Sequence, residues 1–561
     1  MRVNRSITAL LAGGLAVASL TACGGNSSKG TTGNTGKTSA GVLNISMPDG
    51  ATEKDNNNPF LATSAASHLG YRYVIYEPLA MVNLTDPSSK PTPWLASAWT
   101  FTPDYKSVTF TVRDGVKFSD GSAMTADDVA YSFSILKQYT ALNSNALPID
   151  QVTVSGKQVT VTFTQSAFVI QAKVLSTFVV PKKLWSAMKD PTTDTVANPV
   201  GTGPYTLKTF TPQTITLDAR TTGYWQALPK VAELHYSTYT GNDTETQALV
   251  TGATEWSYVF IPDAKTVFAG RDPHYKLWFP PSLSADGLWF NTTVKPWDNQ
   301  YLRQAVGMVI NRADIYNQGE SGYFKPEIDN VTGLPSPAGD SFIASQYKGV
   351  NGQKTPADAK TLLTGHGFTY KGTTLTDPSG KAVTLTITDP AGWSDYQTDL
   401  SIIQDNLKAI GIAVTVDKAD TDAWFTNIAN GKFQAAMHWS NGGATPYDMY
   451  ENIMDGADLV PIGKPANSGN YGRFTSPQAT AALKDYANAT DDATRTAAMN
   501  TIEQIMVEQA PMIPTSAGNY GAEYSTKHWT GWPDDGNSYM PVQPTLTQSL
   551  DVIMHLTPAT S

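Results

Sequence analysis

Short runs of alternating or β-branched apolar residues recur along the chain, and helical patterns lie between them. Such runs predict strands, because alternate side chains of a strand point to opposite faces of a sheet. The predicted strands cover residues 42–47, 107–113, 158–164, 214–219, 383–388 and 412–416.

Two helix starts are marked by capping chemistry. Thr125 precedes two acidic residues and an apolar pattern over 129–139, which predicts an N-cap followed by an acidic first turn. Thr355 followed by Pro356 predicts a second start, because proline is well suited to the first helical position.

A third helix is predicted over 394–410, where apolar residues recur at helical spacing and Gly411 follows as a C-terminal cap. It lies between the strands predicted at 383–388 and 412–416. This order is that of a βαβ unit, so we expect an α/β protein. The roughly 520 residues that follow position 41 exceed what one core usually supports, which predicts at least two lobes.

The N-terminus has the pattern of a secretory signal peptide over 1–22. Arg2 and Arg5 precede an uncharged apolar run over 7–20, and small residues lead to Cys23. The run is shorter than the ~20 residues that a membrane-spanning helix needs. A plain signal peptide containing a cysteine is the other interpretation.

The string from Leu20 to Cys23, Leu-Thr-Ala-Cys, resembles the lipobox of bacterial lipoproteins. That resemblance implies that Cys23 receives a diacylglycerol and begins the mature chain, anchored outside the cytoplasm to the cell membrane. Residues 23–41 are rich in Gly, Ser and Thr and predict a flexible tether.

Charge and composition limit the partners and the chemistry. The net charge is −10, and removing residues 1–22 deletes Arg2, Arg5 and no acid, so it becomes −12. An acidic chain is a poor partner for nucleic acid or for an anionic membrane surface.

No nucleophile elbow and no zinc-protease motif occurs. A secreted glycoside hydrolase, which needs only two carboxylates, remains the alternative from a different class.

Several longer blocks occur in a fixed order. The most specific runs from Phe110 to Gly121 and continues over 125–129, and the others cover 76–79 with 93–99, 201–205, 302–315 and 509–514. Together they resemble the family 5 extracellular solute-binding proteins of bacterial ABC importers, which include oligopeptide- and dipeptide-binding proteins. The blocks are mostly turn and scaffold chemistry, so they identify the family without carrying the binding site.

The resemblance implies an α/β, two-lobed periplasmic-binding-protein fold (type II, large cluster C) with an inserted subdomain. Lobe I would comprise 42–76, 196–289 and 515–561, the subdomain 77–195, and lobe II 290–514. The chain would cross between lobes near 289–291 and 513–515. It would act as a monomer without cofactor or metal, closing over a small-molecule ligand and delivering it to importer permease subunits.

The peptide-binding relatives carry an aspartate three residues after a tryptophan, where it pairs with the α-amino group of the peptide. Here Trp439 matches, but Gly442 occupies the acidic position. Asp448 is the nearby substitute, and Asn441 and Tyr447 of the same stretch are further ligand-binding candidates. The family as a whole favours an oligopeptide.

Other segments resemble the subgroup that binds β-linked oligosaccharides. These are 392–396, with Trp393 and Tyr396, then 444–447 and 278–281. Sugars suit aromatic platforms with neutral hydrogen-bonding groups. A short β-linked oligosaccharide is therefore the alternative ligand.

Overall fold

The computed structural model describes residues 41–47, 53–61, 63–87, 89–239, 241–466 and 469–560. The predicted signal peptide, Cys23 and the tether up to residue 40 lie outside these described residues. Within them, no helix combines the length and the apolarity needed to cross a bilayer.

The first main sheet has seven strands within the described residues and joins segments far apart in sequence. Its central strand Val42–Met47 runs parallel to both neighbours, and the outer pairs are antiparallel. In order, the strands are Tyr275–Trp278, Ala522–Ser525, Trp256–Ser257, Val42–Met47, Glu233–Thr238, Thr214–Ala219 and Tyr205–Phe210.

The second main sheet has five strands in the described part and contains the predicted βαβ unit. Thr384–Pro390 pairs in parallel with Ala413–Ala419, and the helix Ser394–Lys408 connects them. Both strands extend two or three residues beyond their predicted ends. In order, the strands are Ala413–Ala419, Thr384–Pro390, Ala435–Trp439, Pro281–Phe290 and Met512–Asn519.

The chain passes between the two main sheets at 279–280 and at 520–521. Pro281–Phe290 and Met512–Asn519 pair with each other inside the five-stranded sheet, and they are buried along almost their whole length. The sequence prediction placed the crossings near 289–291 and 513–515. Both strands are continuous near the predicted positions, whereas the turn residues Pro280 and Gly521 lie at the observed passages. The limits of the lobes remain predictions.

A four-stranded antiparallel sheet lies entirely within 77–195 and is built from Ala96–Phe101, Ser107–Val112, Gln158–Phe163 and Ile149–Ser155. Its Phe110 and Val161 belong to the same hydrophobic core as Leu43 and Leu234 of the seven-stranded sheet. Smaller two-stranded sheets pair Ala80–Met81 with Thr92–Pro93, Thr369–Lys371 with Thr374–Thr376, and Trp529–Thr530 with Thr557–Pro558.

The predicted helix starts are observed. Thr355 and Asp358 form a reciprocal capping box, and the Asp128 carboxylate accepts a hydrogen bond from the backbone N–H of Thr125 at 2.8 Å. The α-helices are Ala65–His68, Arg72–Ile75, Ala126–Gln138, Gln171–Leu175, Lys182–Trp185, Asn242–Thr251, Gln300–Val309, Arg312–Asp314, Pro356–Gly365, Ser394–Lys408, Thr421–Ala429, Tyr447–Met454, Pro477–Asn488, Asp492–Gln509 and Ser549–His555. Short π-helical turns are Lys265–Ala269 and Ile315–Gly319, and 3₁₀ turns are Thr140–Leu142, Phe168–Ile170, Ser345–Tyr347 and Gly456–Asp458.

Candidate functional site

A cavity of about 550 Å³ lies where the chain passes between the two main sheets. This volume is within the range of small-molecule pockets. Residues next to the seven-stranded sheet contribute Met47, Tyr258, Val259 and Phe260, and the other wall includes Ser282, Ser284, Asp286, Lys325, Trp393, Asp395, Tyr396, Trp439 and Asn441.

One wall of the cavity carries a lysine surrounded by carboxylates. The Lys325 Nζ atom lies 3.0 Å from Asp395 Oδ2, 3.3 Å from Asp286 Oδ1 and 3.6 Å from Glu320 Oε1. Lys325 also lies 4.2 Å from the ring centroid of Tyr396, whose hydroxyl donates a 2.6 Å hydrogen bond to Asp286. We call Asp286, Glu320, Lys325, Asp395 and Asp399 the acidic cluster.

Local structure explains how these side chains meet. Ser282, Ser284 and Asp286 alternate along the strand Pro281–Phe290, so the period of two brings all three to the cavity face. Asp395 lies in the first turn of the helix Ser394–Lys408, where the helix dipole favours a carboxylate.

Burial favours the neutral form of two carboxyl groups in the cluster. It raises the pKa of the Glu320 and Asp399 carboxyls well above their usual range, and Lys325 only partly opposes this. Burial alone would lower the pKa of Lys325, but Asp286 and Glu320 raise it well above its usual value. At the cavity wall a single ammonium therefore faces two carboxyl groups, those of Asp286 and Asp395.

Next to the acidic cluster, Trp393 and Trp439 line the cavity with their rings 5.9 Å apart and inclined by 33°. We call this pair the aromatic wall. Trp439 is 36% exposed, whereas Trp424 behind it is fully buried. The His438 ring stacks on Trp439 at 4.2 Å, and burial lowers the pKa of His438 to about 4. The wall is therefore flat and uncharged at neutral pH.

The family model for bacterial extracellular solute-binding proteins, family 5 (middle region), matches residues 90–458. The chain belongs to this family. Glutathione-binding protein GsiB from Salmonella paratyphi A is 27% identical over 470 residues, covering 79% of this chain and 84% of that protein. GsiB from Escherichia coli O1:K1 is 26% identical over 468 residues, with the same coverage.

Solved family structures share the fold. A mannohexaose-bound periplasmic oligopeptide-binding protein from Thermotoga maritima matches with a TM-score of 0.77 and 22% identity, covering 93% of this chain and 99% of that chain. The oligopeptide-binding protein AppA from Bacillus subtilis, in complex with a nonapeptide, matches with a TM-score of 0.73 and 20% identity, covering 93% and 99%. The two-lobed fold predicted from the sequence is confirmed. The chain is a solute-binding protein and not an enzyme.

The cavity of this family 5 protein brings together Trp393, Tyr396, Trp439 and Asn441 from the predicted ligand-binding set. Tyr447 and Asp448 do not line it. They lie on the helix Tyr447–Met454, which turns away after Pro446. The Tyr447 ring stacks on Tyr486 at 5.9 Å, and Asp448 pairs with Lys173 at 2.7 Å.

Gly442, which replaces the aspartate of the peptide-binding relatives, leaves little room for a side chain. A Cβ atom there would lie 3.2 Å from both Ser284 Cβ and Tyr520 Oη. The Tyr520 hydroxyl is buried at the cavity wall and has no hydrogen-bond partner among the described residues. The absence of an acid at position 442 thus agrees with the local packing.

Sequence reasoning missed Asp286, Lys325 and Tyr520, and it assigned no role to Asp395, which lies inside the segment 392–396. Asp286 gave one signal, since it is the single charged residue in the apolar stretch 281–290. Lys325 gave none, because its role depends on partners brought together only by folding. Within the described ranges, no group of three His, Cys, Asp or Glu side chains is arranged to hold a metal ion.

Proposed function

We propose that this chain is a lipid-anchored, extracytoplasmic solute-binding protein that delivers an oligopeptide-type ligand to an ABC importer by closure of its two lobes. Family membership supports the solute-binding role, and GsiB and AppA, named for glutathione and oligopeptide binding, support a peptide-type ligand. The observation that carries the ligand class is the acidic cluster in the cavity wall.

The acidic cluster suits a ligand with a free amino group. Asp286 and Asp395 share the single Lys325 ammonium, so a second ammonium placed in the cavity would find carboxylate oxygens without displacing an existing cation. A buried ammonium requires such a partner, since an unpaired buried charge costs several kcal/mol. The Tyr520 hydroxyl supplies a further polar group for the ligand backbone.

A short β-linked oligosaccharide is the second candidate, and the aromatic wall favours it. Trp439 is exposed to the cavity and inclined towards Trp393, an arrangement that suits the apolar face of a sugar ring. The mannohexaose complex of the Thermotoga relative shows that this fold accommodates an oligosaccharide in that protein.

A thermal-shift screen distinguishes the two ligands. Purified mature protein is mixed with glutathione, with peptides of two to eight residues, and with cello-, manno- and xylo-oligosaccharides. A ligand at 100 times its dissociation constant stabilises by about 2.7 kcal/mol, which raises the melting temperature visibly. Stabilisation by peptides supports the proposal, and stabilisation by sugars alone would reverse the order of the candidates.

The lipid anchor is tested separately. We expect Cys23→Ser to release the protein into the medium or to leave the signal peptide uncleaved, because no other cysteine is available for lipidation. Membrane fractionation and mass spectrometry of the mature N-terminus are the readouts. A Cys23→Ser protein of mature size that still sediments with membranes would contradict the anchor.

A further inference from the structure

Residues 168–175 form a bridging segment that contacts two separate hydrophobic cores. Its C-terminal residues Val174 and Leu175 are buried in the core shared by the seven-stranded and four-stranded sheets. Its N-terminal residues Phe168 and Val169 pack instead against the core formed by the helices Tyr447–Met454, Pro477–Asn488 and Asp492–Gln509. The segment is thus anchored on one side and docked on the other.

An ion pair joins the bridging segment to the second core. Lys173 Nζ lies 2.7 Å from Asp448 Oδ1, and the Asp448 side chain is 4% exposed. Burial alone would lower the pKa of Lys173, but the neighbouring Asp448 carboxylate raises it above its usual value. Burial also raises the pKa of Glu451, one helical turn from Asp448, to about 8.

Aromatic contacts strengthen the same junction. The guanidinium carbon of Arg495 lies 3.8 Å from the centroid of the Phe168 ring. The Phe168 ring also lies 6.4 Å from the Tyr486 ring, on which Tyr447 stacks. A cation placed over an aromatic face in this way is attracted by the ring quadrupole.

We propose that the bridging segment is a latch that stabilises the closed arrangement of the lobes, before as well as after ligand binds. The inference rests on the two-lobe closure in the proposed function. Because the segment is fixed in one core and its partners in the other, moving the cores apart must break the ion pair and the Arg495–Phe168 contact together. These contacts therefore stabilise only the arrangement in which the two cores meet, which we take as the closed form, and they increase its population.

The central experiment compares Lys173→Met with the matched control Lys157→Met. Lys157 pairs with Asp114 at 2.6 Å, but that pair is exposed, and both residues belong to the part of the chain that contains the four-stranded sheet. Spin labels on Lys182→Cys and Lys484→Cys, both exposed positions on opposite sides of the junction, report the distance between the cores in a Cys23→Ser background.

We expect the ligand-free Lys173→Met protein to move towards the longer label distance, whereas Lys157→Met keeps the parent distribution. Lys173→Arg, which retains the charge, should restore the shorter distance. If glutathione or tetra-alanine binds the parent protein, Lys173→Met should weaken that binding about tenfold, because Asp448 is left buried without its cation.

Identical distance distributions for Lys173→Met and Lys157→Met would overturn the latch. If no peptide, glutathione or mannohexaose stabilises the parent protein, the ligand proposal fails. The distances measured without ligand still decide the latch in that case, so the two failures are distinguishable.

Discussion

Lys325 and Lys173 both pair with buried carboxyl groups, and they differ in what they hold together. Lys325 is buried in the acidic cluster, whose Asp286 and Asp395 belong to the five-stranded sheet and the helix between two of its strands. Lys173 belongs to the bridging segment, and its side chain is 33% exposed. Its partner Asp448 lies on a helix that packs in the other core.

The comparison shows that a lysine–carboxylate pair can line a cavity in one place and connect two cores in another. Around Lys325 two carboxyl groups, those of Asp286 and Asp395, share one ammonium at the cavity wall, which is the basis of the proposed binding of a ligand amine. At Lys173 the charges are joined across a junction, so their attraction depends on the relative position of two cores. A buried pair is costly to break when one partner remains, and this holds for both sites.

Replacing Lys325 should have the largest effect on stability. Lys325→Met leaves Asp286 and Asp395 buried without a cation, and breaking a buried pair in this way costs about 3–5 kcal/mol. Chemical denaturation measures the loss. The control is Lys527→Met, whose exposed contact with Asp272 spans 3.6 Å and should contribute less than about 1 kcal/mol. Equal losses in the two variants would contradict the role of Lys325.

Replacing Lys173 should lower stability less than replacing Lys325 does, although it should change the distance between the two cores. We expect Lys173→Met to lower the free energy of unfolding by about 1–2 kcal/mol, between the values for exposed and buried pairs. The same denaturation series provides the measurement. A loss as large as that of Lys325→Met would indicate that the pair is a structural element of one core rather than a contact between two.

The pH dependence of stability should reveal Asp389, a buried carboxyl group close to Asp395 of the acidic cluster. Burial, followed by the nearby Asp395 charge, raises the pKa of Asp389 to about 8 in the folded protein. An unfolded aspartate has a pKa near 3.9, so the folded state binds more protons between about pH 4 and pH 8, and stability falls as pH rises through this window. Asp389→Asn should make the fall less steep in melting curves. An unchanged slope would contradict the raised pKa.

Replacing Trp439 should change ligand binding with the smallest effect on stability. Trp439 is 36% exposed at the cavity, so Trp439→Ala should cost about 1 kcal/mol of stability, well below the ~3–5 kcal/mol of a buried aromatic such as Trp424. Calorimetry with the ligand found in the screen should show weaker binding, while the label distance without ligand stays the same. Unchanged affinity would remove Trp439 from the site.

Local signals in the sequence predicted much of the fold. The capping residues at Thr125 and Thr355 and the helical spacing over 394–410 each report a short-range interaction, and all three helices form. The chain passes between the sheets at 279–280 rather than near 289–291, because the strand Pro281–Phe290 already belongs to the second sheet and follows the turn residue Pro280.

The site was less accessible to sequence reasoning. Trp393 and Trp439 were selected through resemblance to family segments, and both line the cavity. Asp448 was selected for its proximity in sequence to Gly442, yet the fold directs it to Lys173. The pairing of Asp286 with Lys325 is a tertiary contact that no local pattern encodes.

Isothermal titration calorimetry with a tetrapeptide and its N-acetylated form tests the central claim most directly. If the acidic cluster binds the ligand amine, acetylation should weaken binding to the parent protein at least about tenfold, because the charged partner of Asp286 and Asp395 is lost. Asp395→Asn should remove most of that difference. Equal affinity for both peptides, or binding of mannohexaose with no binding of either peptide, would contradict the account.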